Sequence, residues 1–204
     1  MKKILSVFAF ATIVGMAFVS CDEPEPFEET VWISSSYDWH LPEYTEWGYN
    51  TFGAQYERSN YFISRRSGEI STITWVNNYV VFKLIGYNHK NGNDMTLTIE
   101  FPYERIKDYV ELVKLDDYVV DLADTAVKVR VDLEDRYSNI LLTEVRGELH
   151  FKRVQNLFID NELTHSIVSG MFKVDGYDDA DDPFVLKSGR FDLTVNSRNF
   201  RCRQ

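Results

Sequence analysis

The segment Tyr79–Phe101, YVVFKLIGYNHKNGNDMTLTIEF, decides the fold. Val80, Phe82 and Leu84 alternate near its start, and Met95, Leu97, Ile99 and Phe101 alternate at its end. A period of two sends successive side chains to opposite faces of a strand, so each run buries one face and leaves the other to water. Between the runs lies Asn91-Gly92. Both residues tolerate the positive φ that tight hairpin turns demand. The three parts predict two half-buried strands joined as an antiparallel hairpin.

The same period recurs at Val127, Val129, Val131 and Leu133. Toward the C-terminus, RGELHF (146–151), SGMFKV (169–174) and SGRFDL (188–193) share the pattern Gly-x-apolar-x-apolar, with Gly147, Gly170 and Gly189 in phase with the inward face. A strand glycine in that phase marks a bend, or a place where another backbone or a large ring comes close. The alternative is a ligand path beside the glycines of a curved sheet. The last two strands are expected to form a hairpin across DGYDDADDP at 175–183. One segment departs from the rule: after Pro102, the spacing of Ile106, Tyr109, Val110 and Val113 is helical, with Glu104 near the start. It predicts a short helix around 103–114 or, because DYVELV also carries β-branched residues, an irregular strand. The class is all-β with room for that one helix: about eight to ten antiparallel strands forming a barrel or a sandwich.

At 204 residues, 44% hydrophobic and 15% aromatic, the chain can furnish one sizeable core. Its 22 Lys+Arg against 32 Asp+Glu give a net charge of −10, which repels phosphate backbones and disfavours a nucleic-acid partner. The two cysteines, Cys21 and Cys202, lie near opposite ends of the sequence. No disulfide framework follows if Cys21 is occupied, and Cys202 reads as a free thiol near a frayed terminus.

Lys2 and Lys3 precede an uncharged, apolar run from Ile4 to Ser20, which is the anatomy of a secretory signal peptide over residues 1–20. The flank that follows, CDEPEPFEE, is acidic where a stop-transfer anchor would be basic. Phe18-Val19-Ser20-Cys21 resembles a bacterial lipobox, although Phe18 stands where Leu is commoner. That resemblance implies cleavage between Ser20 and Cys21, a diacylglycerol on the Cys21 thiol and further acylation of its new amino group. Two or three acyl chains hold a domain to a bilayer far more firmly than one. An ordinary signal peptide with a Cys in its c-region is the alternative. Residues 21–30, rich in Asp, Glu and Pro, read as the lipidated Cys and a flexible acidic tether. The single β-rich domain is then 31–204.

An acidic run directly after the lipidated Cys resembles the surface-export signal of outer-membrane lipoproteins in Bacteroides-like bacteria. In enterobacteria, Asp at that place resembles an inner-membrane retention signal, so the membrane depends on lineage. The closing strands, VSGMFKV and SGRFDLTV, are similar to the C-terminal hairpin of small β-rich lipoproteins of uncharacterised function from the same group. Some of those are lipocalin-like in topology, which favours the barrel. The resemblance carries no active site.

Candidate chemistry is sparse. The loop DGYDDADDP offers Asp175, Asp178, Asp179, Asp181 and Asp182 as hard-cation ligands, a weak calcium candidate whose spacing fails the EF-hand. A solvated hairpin tip is its plainer reading. Residues 31–62 are dense in aromatic rings; several are expected to fill the core or cover the mouth of a barrel, with Trp39 and Trp47, flanking HLPEYTE, as the picks for a ligand platform. His40, His89, His150 and His165 show no zinc spacing, and no nucleophile elbow, phosphate loop or dinucleotide fingerprint occurs. Paired glycosidase carboxylates are a tertiary feature and stay open. The expectation is a non-enzymatic, lipid-anchored envelope protein without cofactor that binds a small apolar ligand or a glycan. An assembly component docking through a sheet edge is the alternative, and a glycan hydrolase comes third.

Overall fold

The computed structural model describes residues 30–37, 41–63, 70–88, 90, 92–133 and 137–203, with backbone alone at 137 and 138. They form β1 (Thr51–Tyr56), β2 (Ser59–Phe62), β3 (Thr72–Val76), β4 (Tyr79–Tyr87), β5 (Asp94–Pro102), β6 (Tyr118–Asp121), β7 (Lys128–Leu133), β8 (Tyr137–Leu141), β9 (Thr143–Ile159), β10 (Glu162–Tyr177), β11 (Pro183–Val195) and β12 (Phe200–Arg203). A 3-10 helix, Tyr109–Leu115, links β5 to β6. Twelve strands exceed the expected number because β2, β3, β6, β8 and β12 are four or five residues long, too short to show an alternating pattern.

All strands belong to one sheet in the order β6-β9-β10-β11-β1-β2-β4-β5-β7-β8, with β3 joining β4 to β12. Every pairing is antiparallel except β12 with β3, which is parallel. β11 reaches β4 through β1 and β2, while β12, which follows β11 in sequence, pairs with β3 beside β4 and brings the end of the chain back against that arm. The end strands β6 and β8 do not pair with each other among the described residues, so the sheet is an open, strongly curled half-barrel.

Aromatic rings fill much of its interior. Phe82 of β4 meets Phe151 of β9 and Phe191 of β11 at ring-centroid distances of 5.4 and 4.9 Å, and Phe101 of β5 meets Phe151 at 5.9 Å. These rings join the two arms of the sheet, and each is at most 1% exposed. The opening hairpin is as expected: Phe82 pairs with Ile99 and Leu84 with Leu97 on the inner face. Gly92 takes a φ of +84°, and the loop closes with Gly92 N–H donating to Asn88 O at 2.9 Å. Two further hairpins turn on Asn77-Asn78 and Asp160-Asn161, where all four residues have positive φ.

The strand glycines mark close approach. A Cβ on Gly170 would lie 2.1 Å from the His150 carbonyl and 2.6 Å from the Phe191 ring, and one on Gly189 would lie 2.5 Å from the Phe172 ring. Beside Gly170 and Gly189 the rings of Phe191 and Phe172 occupy the space that a ligand path would need, and at Gly147 the Lys173 backbone does so. The helix is also corrected: it covers only 109–115 and winds at three residues per turn. That period buries Leu112 and Leu115, leaving Val113 of the expected stripe exposed. Cys202 is not on a frayed end; it sits in β12, paired opposite Trp75 and packed on the core as a free thiol.

Candidate functional site

Each arm of the curled sheet turns its second face outward, and the two outward faces differ. On the arm of β4, β5, β7 and β8 no other described segment covers the outer face, which is hollowed into a groove of about 440 Å³. Strand register builds it in rungs. Lys83, Thr98 and Arg130 form one rung, and Ile85, Thr96 and Asp132 the next. Asp94, paired with Tyr87, follows. Rungs on one face are about 7 Å apart, so cations line one end of the groove and carboxylates the other. Arg130 is steadied by Glu100, with Nε to Oε1 at 3.4 Å. Asn139, at a φ of +56°, closes the side toward β8.

Ammonium, guanidinium, two hydroxyls, two carboxylates and an amide present donors and acceptors a few ångströms apart on a stiff sheet. That set suits a ligand rich in hydroxyls, each of which both donates and accepts. It suits an apolar ligand poorly.

On the opposite arm the outer face is roofed by the segment 41–50. The carboxylate of Asp192, fully buried, is the clasp. Its Oδ2 accepts from Thr45 Oγ1 (2.5 Å), Trp47 N (3.1 Å) and Tyr49 N (3.1 Å), and its Oδ1 accepts from Gly48 N (2.8 Å). Thr194 Oγ1 donates to Gly48 O at 2.7 Å, and the Asn50 side chain accepts from Thr194 N at 2.9 Å. Gly48 sits at a φ of +74°, and a Cβ there would lie 2.7 Å from Thr194 Oγ1 and 3.2 Å from Ile167. His165, on the same face as Ile167, is 3% exposed, and burial pushes its pKa below the usual imidazole value. Tyr44 at the edge of the roof is held well above the usual phenol range by burial and by its hydrogen bond to Glu46.

The sequence candidates do not converge on the groove. Trp47 is 70% exposed but belongs to the roof, on the other arm. Trp39, Ser20 and Cys21 lie outside the described residues. Asp175 is in β10, bound to Lys173 Nζ at 2.6 Å. The acidic loop shrinks to 178–182, and Asp178 is buried with its carboxylate accepting from Ala180 N (2.9 Å) and Asp182 N (2.8 Å), a turn tied by its own side chain. Asp179 and Asp181 face solvent. Among the described residues no three His, Cys, Asp or Glu side chains are grouped to hold a metal.

The described rings of 31–62 divide between core and surface. Phe52, Tyr56 and Tyr61 are buried, while Trp32, Tyr37 and Trp47 are exposed. The groove residues themselves carried one signal in the sequence, namely their shared parity as outward positions of alternating strands.

No protein-family model, no curated protein and no solved structure matches this chain.

Proposed function

We propose that the chain is a lipid-anchored bacterial envelope protein, carried on the outer membrane by acyl chains on Cys21, whose β-domain binds a glycan without transforming it. The observation that carries the ligand class is the polar groove over β4, β5 and β7, set against an interior filled by Phe82, Phe101, Phe151 and Phe191. A lipocalin-like barrel would hold an apolar ligand inside; here the rings take that room, which supports the outer groove as the site. Lys83 and Arg130 at one end favour a sugar bearing a carboxylate or sulfate there.

The anchor reading is supported by the sequence: two lysines, an uncharged run, Phe18-Val19-Ser20-Cys21 and an acidic tether. Among the described residues no helix is long and apolar enough to cross a membrane. Edge-to-edge assembly has less support, because β6, β8 and β12, which each pair with one strand only, have four or five residues. Hydrolysis is the second reading, favoured by Asp94 and Asp132 lining one groove.

Titration with neutral and uronic-acid oligosaccharides, followed by amide NMR shifts, tests the binding site. Shifts are expected along β4, β5 and β7, with affinity for the acidic sugars falling about tenfold in Arg130→Ala. Shifts confined to the roof, or none with any sugar, would sink the groove reading. Release of reducing ends that stops in Asp94→Asn or Asp132→Asn would establish the hydrolase instead. Cys21→Ala should leave the domain folded and free it from membranes; a salt-resistant membrane fraction of that variant overturns the anchor.

A further inference from the structure

We infer that the rim formed by Val31, Trp32, Ile33 and Trp47 rests in the lipid–water interface of the membrane that holds the acyl chains of Cys21. The inference depends on the lipid-anchor reading above and extends it to the orientation of the domain. All four side chains are exposed, Trp47 most of all. The backbone gathers them: Val31 N–H donates to Tyr49 O at 3.0 Å, two residues from Trp47, and Glu43 N–H donates to Ile33 O at 2.6 Å. The Trp32 ring leans on Phe62 at a centroid distance of 5.0 Å, and its indole N–H donates to Ser34 Oγ at 3.1 Å. An exposed indole with one apolar face and one polar edge fits the headgroup level of a bilayer.

The tether decides which surface lies near the membrane. Eight residues separate Cys21 from Thr30, and an extended chain covers at most ~3.5 Å for each step along it, or roughly 30 Å in all. The acyl chains fix one end of that reach at the bilayer, and the other end is the rim itself. Charge selects the lipid: Asp22, Glu23, Glu25, Glu28 and Glu29 fill the tether of a chain whose net charge is −10. Anionic headgroups would repel it, so the contact is an apolar one with a zwitterionic surface. With the roofed arm against the membrane, the groove on the opposite arm opens away from it.

The test uses the full-length, processed protein in phosphatidylcholine vesicles whose acyl chains carry bromine, a short-range quencher of tryptophan. Brominated lipid should quench the wild type, and the double variant Trp32→Phe, Trp47→Phe should lose most of that quenching while Trp75→Phe, in the core, keeps it. Both exposed changes are conservative, and an unaltered circular dichroism spectrum excludes misfolding. Protein that floats with the vesicles yet is not quenched overturns the rim while leaving the anchor standing. Undiminished quenching in the double variant also overturns it, because the membrane then meets another ring. Failure to float, with an unacylated N-terminal peptide by mass spectrometry, removes the anchor and the rim together.

Discussion

The outward face of β10 and β11 is roofed and that of β5 is left open by the described residues, and burial along the strands records the difference. β5 alternates strictly, each residue from Met95 to Phe101 at odd positions buried and each even one partly exposed. In β10, residues 165–170 are all buried, and in β11, residues 191–195 are. Both arms send polar side chains outward: Thr96, Thr98 and Asp132 on one, Ser169, Asp192 and Thr194 on the other. Polarity of the outward residues therefore does not decide whether a sheet face stays wet. What decides is whether another segment brings matching backbone groups to it. Trp47, Gly48 and Tyr49 bring three N–H groups to Asp192, whereas nothing among the described residues seals the groove over Thr96 and Thr98.

The comparison breaks most decisively at Asp192. In Asp192→Asn one carboxylate oxygen becomes an amide donor, yet Oδ2 faces three donors and Oδ1 one, so neither orientation of the amide satisfies them. Losing charge-assisted hydrogen bonds at a buried site should cost about 3 kcal/mol, measured as a lower urea midpoint with an unchanged slope. Amide exchange should quicken at 45–50 before it does in β5. A midpoint equal to wild type would mean that the roof is not held by this carboxylate.

That clasp also shows why the sequence was partly legible. DMTLTIEF discloses its strand because one face is bare and the period of two survives in the residue types. HSIVSG, in β10, is buried on both faces and shows no clean period. In RFDLTV, Asp192 looks like any outward polar residue, and its partners at Thr45 to Tyr49 lie 143 to 147 positions away, beyond any local pattern. Gly170 and Gly189 were legible because a glycine in phase with core residues has few other uses. The 3-10 helix was not: Ile106, Tyr109, Val110 and Val113 fit an α-helical stripe, and only tertiary packing selects Leu112 and Leu115 for burial. The groove was half legible, since parity assigns Thr96, Thr98 and Arg130 outward without saying which outward face stays open.

Acid should also act on the roofed arm, through His165. Burial lowers the folded pKa of His165 from its ordinary 6.5, so the unfolded chain binds the proton more tightly than the folded one. Its neutral form then favours folding fully above pH 6.5, and that contribution is lost as pH falls through 6.5 toward the lowered folded value. Urea midpoints should drop between pH 7.5 and 5.5, and His165→Gln should show a smaller drop. Equal slopes in the two proteins would assign the acid sensitivity elsewhere.

One chemical change can be made on each face. Thr→Val keeps the β-branched shape and puts a methyl group where the hydroxyl was. At Thr194, 5% exposed, the hydroxyl donates to Gly48 O under the roof, and its loss leaves a buried carbonyl short of a partner, costing about 1 kcal/mol or somewhat more. At Thr98, whose neighbours on the rung are Lys83 and Arg130, the hydroxyl faces the groove and water replaces nothing essential to folding. Thr98→Val should alter stability by less than about 0.5 kcal/mol while weakening oligosaccharide binding severalfold. Equal stability losses at the two sites would show that the groove is sealed in solution as the roof is, and that its hydroxyls serve the fold before any ligand.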